Sequence, residues 1–152
     1  HGVRVRSVMA VHSHRPMPHL PSAATGFIIE APRESGDLLR IWFAGDTEPY
    51  PAMADLSELA GGPIDLALLP IGGWGPRLSG GHMDPVQAAK VCEVVGARRA
   101  IPIHWGTLHA PLGHHLPRGW MDRGGEAFAA AVRREAPGCD AVVLAAGERL
   151  EL

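Results

Sequence analysis

The chain has 152 residues, 46% of them apolar and 20% charged, with a formal net charge of −2. That length suffices for one domain with its own core. The near-neutral balance excludes nucleic acid or an anionic membrane surface as an expected partner, and no apolar run approaches the roughly 18 residues of a bilayer span.

The chain starts His1-Gly2-Val3-Arg4, with neither a long apolar leader nor an initiator methionine, and so reads as a processed or truncated piece. Two cysteines, Cys92 and Cys139, without a disulfide framework fit a reduced, cytoplasmic compartment. Nine histidines, fourteen prolines and nineteen glycines point to many loops around a polar site.

Residues 3–11 alternate and read as a strand with one better-buried face. His12-Ser13-His14-Arg15-Pro16 breaks it, and Pro16, Pro18 and Pro21 hold an irregular loop. Residues 25–31 form a second strand, 32–37 a hairpin connection around Gly36, and 38–44 a third strand. Short joins between three successive strands predict an antiparallel or mixed sheet. A short helix follows over 51–59, with proline in its first turn. Residues 64–69 are near-continuously apolar, the pattern of a strand covered on both faces. After a glycine-rich loop, Asp84 and Pro85 read as the cap and first residue of a helix. Its stripe is Ala88, Val91, Cys92 and Val95, and Gly96 closes it; Cys92 reads as core packing. A strand over 99–104, a long loop to about 123, a helix over 126–135 and final strands over 141–145 and 149–152 complete the order β-β-β-α-β-α-β-α-β-β.

Two strands end in a ligand-type residue beside glycine: Phe43-Ala44-Gly45-Asp46-Thr47 and Ile103-His104-Trp105-Gly106. Open α/β sheets bind ligands beyond the carboxyl ends of their strands. Asp46 reads either as a turn aspartate or as a ligand, and His104 either as a core histidine or as a ligand. His12 and His14 lie two apart and share a face if the strand continues through them. His82 precedes a helix start and either reaches a pocket or covers the cap. His19, His109, His114 and His115 read as rim residues, and His1 as a chain end. A group of histidines and one aspartate on strand ends suits zinc, which accepts imidazole nitrogen and carboxylate oxygen and generates a hydroxide nucleophile near neutral pH. The spacing alone is not diagnostic.

Five segments in order carry a resemblance: Val11-His12-Ser13-His14-Arg15; Phe43 to Thr47; Asp65-Leu66-Ala67-Leu68-Leu69-Pro70-Ile71-Gly72; Gly81-His82-Met83-Asp84-Pro85 with Ala88-Ala89; and Ile103-His104-Trp105-Gly106-Thr107. Together they resemble the metallo-β-lactamase fold superfamily. The branch is that of metal-dependent hydrolases similar to N-acyl-phosphatidylethanolamine phospholipase D and L-ascorbate-6-phosphate lactonase. The resemblance implies an α/β fold with a mixed sheet and flanking helices, the C-terminal half of an αββα sandwich, as one partial domain over residues 1–152. It implies one or two zinc ions, with manganese or iron as alternatives, held by His12, Asp46 and His104. Asp46 would bridge, and His14 replaces His12 if the register slips. His82 matches a pocket histidine that serves catalysis through substrate.

The family's His-x-His-x-Asp-His is absent: Arg15, Pro16 and Met17 follow His14, and the motif belongs upstream of Val3. Half a sandwich leaves a sheet face and edges open. The expectation is therefore a hydrolase whose metal-activated hydroxide attacks a small-molecule phosphodiester, lactone or similar ester. It would need its N-terminal half or a partner chain, a homo-oligomer being one form, and would be inactive without it. The rival is a non-catalytic truncated relative acting as a binding or assembly module. A nucleotide-binding domain is disfavoured, since neither G-x-G-x-x-G nor a P-loop follows any strand. The loops 72–81, with Trp74 and Arg77, and 109–120, with Arg118, would rim the pocket; the two arginines suit an anionic group or plain solvent exposure.

Overall fold

The computed structural model describes residues 2–12, 24–73, 80–107 and 119–152. His1, His14, His19, Trp74, Arg77, His109, His114, His115 and Arg118 lie outside the described residues. Six strands form one sheet in the order of the chain: β1 (Arg4–Ala10), β2 (Ala24–Pro32), β3 (Leu38–Phe43), β4 (Leu66–Pro70), β5 (Arg99–Ile103) and β6 (Asp140–Ala141). The first three strands pair antiparallel and the rest join in parallel. The switch follows from the connections. Five residues around Gly36 (φ 90) turn β2 into β3, whereas a parallel return needs a crossover. A 3-10 turn (Pro51–Asp55) with α1 (Leu56–Leu59), then α2 (Pro85–Val95), then α3 (Gly124–Glu135) supply those crossovers. No helix among the described residues is long and apolar enough to cross a membrane.

The α2 boundaries follow local chemistry. Asp84 accepts from the backbone N–H groups of Val86 and Gln87, both at 2.8 Å, while Gln87 returns a bond to the Asp84 N–H at 2.9 Å. Gly96 ends the helix in the left-handed region (φ 66). The buried stripe is Ala88, Ala89, Val91, Cys92 and Val95. Cys92 is core, and its thiol is pushed up from its ordinary range by its hydrogen bond with Cys139 and by burial.

One sheet face makes the core. Ile28, Trp42, Ala67 and Ala100 stand in register across β2 to β5, all fully buried with the helix residues Met53, Leu56, Phe128 and Val132. The other face carries Phe27, Phe43, Leu68 and Ile101 in register, with Ile29 and Ile41 beside them, all only half-buried. At the N-terminal ends of β4 and β5, buried Asp65 accepts from the Arg40 N–H and pairs with Arg98, both at 2.9 Å.

The structure departs from expectation at both ends of the sheet. β1 is an edge strand: Val3, Val5 and Met9 are exposed, and burial begins only at Val8 and Ala10. The final strands over 141–145 and 149–152 shrink to Asp140–Ala141. Val142 N–H still donates to the Ala100 carbonyl at 2.8 Å, but Ala145 to Glu148 then closes into a turn and nothing pairs with 149–152 among the described residues. Alternating apolar residues make a strand only where a neighbour offers its backbone.

Candidate metal centre

The tripeptide Asp46-Thr47-Glu48 organises the site. It leaves β3 at the C-terminal end of the parallel strands through Gly45 (φ 73). Fully buried Thr47 ties β1 down: its Oγ1 accepts the Val11 N–H at 2.8 Å, and the Val11 carbonyl accepts the Glu48 N–H at 2.8 Å. His12 is thereby held beside Asp46. Glu48 reaches the other way and accepts the Gly81 N–H at 2.7 Å, fixing the turn (φ 90) that presents His82. Tyr50 donates to the Met9 carbonyl at 2.5 Å, and burial raises its hydroxyl's pKa, so it stays a donor. Sequence reasoning singled out neither Thr47, Glu48 nor Tyr50. The one available signal was their position next to Asp46, because each acts through a partner distant in sequence.

Three imidazoles surround the Asp46 carboxylate. His12 Nε2 lies 3.2 Å and His104 Nε2 3.7 Å from Oδ2, and His82 Nε2 lies 3.5 Å from Oδ1. The His12 and His82 rings meet edge-on with centroids 5.1 Å apart, and His82 and His104 lie 5.5 Å apart. His82 is nearly inaccessible, whereas His12, His104 and Asp46 are partly open. Ligand atoms of His12, Asp46 and His82 all fall within 4.8 Å of one another. The structure thus brings His12, Asp46, His82 and His104 together, but the group whose ligand atoms could share one ion contains His82 and leaves out His104.

No backbone N–H donates to either Asp46 oxygen among the described residues, although such bonds are what a turn aspartate is selected for. Among the described residues Oδ1 is buried without a hydrogen bond, and so is Nδ1 of His82. A buried carboxylate oxygen without a donor is costly, and a cation between it and the imidazoles removes that cost. Oxygen and nitrogen donors at this spacing fit zinc, manganese or iron. Among the described residues nothing hydrogen-bonds His82 Nδ1, a bond that ordinarily fixes the tautomer of a ligating imidazole.

Thr47→Val keeps the shape of residue 47 and leaves the Val11 N–H without its acceptor. Its expected cost is about 1–2 kcal/mol of unfolding free energy, with metal affinity lowered about tenfold because His12 loses its tether. Denaturant unfolding and a metal titration on the same preparation check both numbers.

Comparison with known proteins gives the family. The model of the beta-lactamase superfamily domain matches residues 1–105. A metal-dependent hydrolase of Nitratidesulfovibrio vulgaris is 33% identical over 151 residues, covering 99% of this chain and 52% of that protein. An N-acyl-phosphatidylethanolamine-hydrolyzing phospholipase D of Caenorhabditis elegans is 39% identical over 80 residues, 51% of this chain and 22% of that protein. Igni18, a metallo hydrolase of Ignicoccus hospitalis, superposes with a TM-score of 0.65 at 25% identity, covering 97% of this chain and 52% of its own. The chain spans about half the length of the curated relatives it matches. A match to residues 1–105 gives no support to reading the chain as a C-terminal half alone. With the mixed sheet, its flanking helices and the matching family model, the chain belongs to the metallo-β-lactamase superfamily.

Proposed function

We propose that the protein carrying this chain is a metal-dependent hydrolase acting on a phosphodiester, lactone or similar small-molecule ester. The observation that carries this reading is Asp46, a carboxylate faced by three imidazole nitrogens at 3.2–3.7 Å, with one oxygen buried and without a hydrogen bond among the described residues. Asp46, His12 and His104 would hold the ion or ions, zinc first, with Asp46 able to bridge two. His82, already at 3.5 Å from the carboxylate, would orient substrate or complete the ligand set. A bound divalent cation supplies Lewis acidity for the ester or phosphoryl oxygen and acidifies water. The chain's own part is to fix three imidazoles around one anion and to exclude solvent with buried His82 and Met83.

The half-exposed apolar face of Phe27, Ile29, Ile41, Phe43, Leu68 and Ile101 supports a second element of the reading: another layer packs there. The remaining length of the relatives is its natural source, and that layer would bring further ligands to the centre.

Elemental analysis of the purified full-length protein, with hydrolysis of bis(p-nitrophenyl) phosphate before and after chelation, tests the proposal. The expected result is about one or two bound ions per chain, with activity lost to the chelator and restored by zinc or manganese. A metal-free protein inert to every added ion would favour a binding or assembly module instead.

A further inference from the structure

His104 is the single non-glycine residue at positive φ (59°) among the described residues. Such a backbone persists in a bulky residue only where its surroundings impose it. Two close approaches impose it here. On one side a β-carbon at Gly72 would lie 2.5 Å from the His104 carbonyl oxygen and 3.3 Å from the Trp105 Cα. On the other, the Trp105 indole folds back over β5 and donates its N–H to the Pro102 carbonyl at 3.1 Å. The ring's far edge lies on the first turn of α3. A β-carbon at Gly124 would meet Cε3 at 3.0 Å, and one at Gly125 would meet Cζ2 and Cη2 at 2.8 and 2.9 Å, with Val143 Cγ1 nearer still at 2.6 Å. None of these three glycines has a positive φ, so the backbone does not demand glycine there; the His104 carbonyl at Gly72, the indole at Gly124, and the indole with Val143 at Gly125 do. A helix that opens on two poor helix formers does so to seat this ring.

We propose that Trp105 is a positioning residue for the metal centre. Wedged between Pro102 and the Gly124-Gly125 turn of α3, it holds His104 in the left-handed region and so aims Nε2 at Asp46. The inference rests on the metal-centre reading above and adds a support that acts through His104 without touching the ion.

Cobalt(II) titration of the metal-free full-length protein tests it, following affinity and the visible absorption of the bound ion. Gly125→Ala pushes the ring aside and is expected to lower cobalt affinity about tenfold, in the range for outer-shell partners, and to shift the absorption band. Trp105→Phe loses the N–H anchor and weakens binding as well. The double variant recovers part of the affinity lost in Gly125→Ala, because phenylalanine lacks the ring atoms that the new methyl would strike, while the approach to Val143 remains. Gly138→Ala, in open space, leaves affinity unchanged. Thermal unfolding of each metal-free variant separates a loss of fold from a loss of aim, and Trp105→Phe carries the test if Gly125→Ala does not fold. Folded Trp105→Phe and Gly125→Ala proteins with wild-type affinity and spectrum would overturn the positioning role while leaving the metal centre intact. A wild-type protein that binds no cobalt would overturn the metal-centre reading and the positioning role with it.

Discussion

Asp46→Asn is expected to remove metal from the full-length protein and to lower its hydrolytic activity by more than about 100-fold. Outer-shell partners of a metal are worth 10–100-fold, and Asp46 is the group on which three imidazoles converge. Asparagine keeps the size of the side chain and can still cap a turn, so a purely structural aspartate would tolerate it within about 1 kcal/mol. What it removes is the negative charge and one oxygen. The remaining oxygen cannot serve two ions, and the amide would turn donor hydrogens toward His12 or His82. With His12 Nε2 at 3.2 Å and His82 Nε2 at 3.5 Å, a misplaced N–H competes directly with a cation. The measurement is metal content by mass spectrometry beside thermal unfolding of the metal-free protein. Wild-type metal content in Asp46→Asn would return the residue to turn chemistry and sink the metal centre with it.

The parts of this site that were legible in the sequence are those in which one residue announces itself. A strand closing on Gly-Asp-Thr, another on His-Trp-Gly, and Asp84-Pro85 before a helical stripe each carry their signal within a few residues. The ambiguity of Asp46 between turn and ligand was real at that level, because both uses favour aspartate after glycine. What bears on it comes from elsewhere in the chain: His12 after β1, His82 before α2 and His104 after β5 all face the carboxylate. The support of the site was illegible for the same reason. Thr47 and Glu48 look like ordinary loop residues until Val11 and Gly81 arrive, 36 and 33 residues away. Gly124-Gly125 looks like a poor helix start until Trp105 lies on it.

Fold legibility follows the same rule. Residues 66–70 are apolar on both faces, and all but the half-buried Leu68 emerge buried. The strand over 149–152 did not form, because propensity without an adjacent backbone leaves peptide groups to water. β1 illustrates the intermediate case. It pairs fully with β2 from Arg4 to Ala10, yet Val3, Val5 and Met9 stay open. Alternation fixed its conformation without deciding its burial.

Gly45→Ala is expected to destabilise the domain by about 3 kcal/mol, or roughly 10 °C in a chain of this length. Two costs combine. Gly45 sits at φ 73, where an L-residue crowds its own carbonyl at about 1–2 kcal/mol. The new β-carbon would also lie 2.4 Å from the Thr25 carbonyl oxygen, and that atom is backbone, fixed by the pairing of β2 with β1 and β3. Gly26 faces the same junction, where a β-carbon would stand 2.8 Å from the Ala44 oxygen. Two glycines therefore let the exit of β3 cross the start of β2 closely enough to bring Asp46 beside His12. Gly36→Ala is the matching control: its φ of 90° carries the backbone strain, but nothing lies within 4 Å of the added methyl. Its expected cost is about 1 kcal/mol. Equal losses in the two variants, measured by denaturant unfolding, would mean that backbone strain alone is at work. The close crossing of β2 and β3 would then contribute nothing to stability. A larger loss at Gly45, accompanied by weaker metal binding, ties the crossing to the site that it builds.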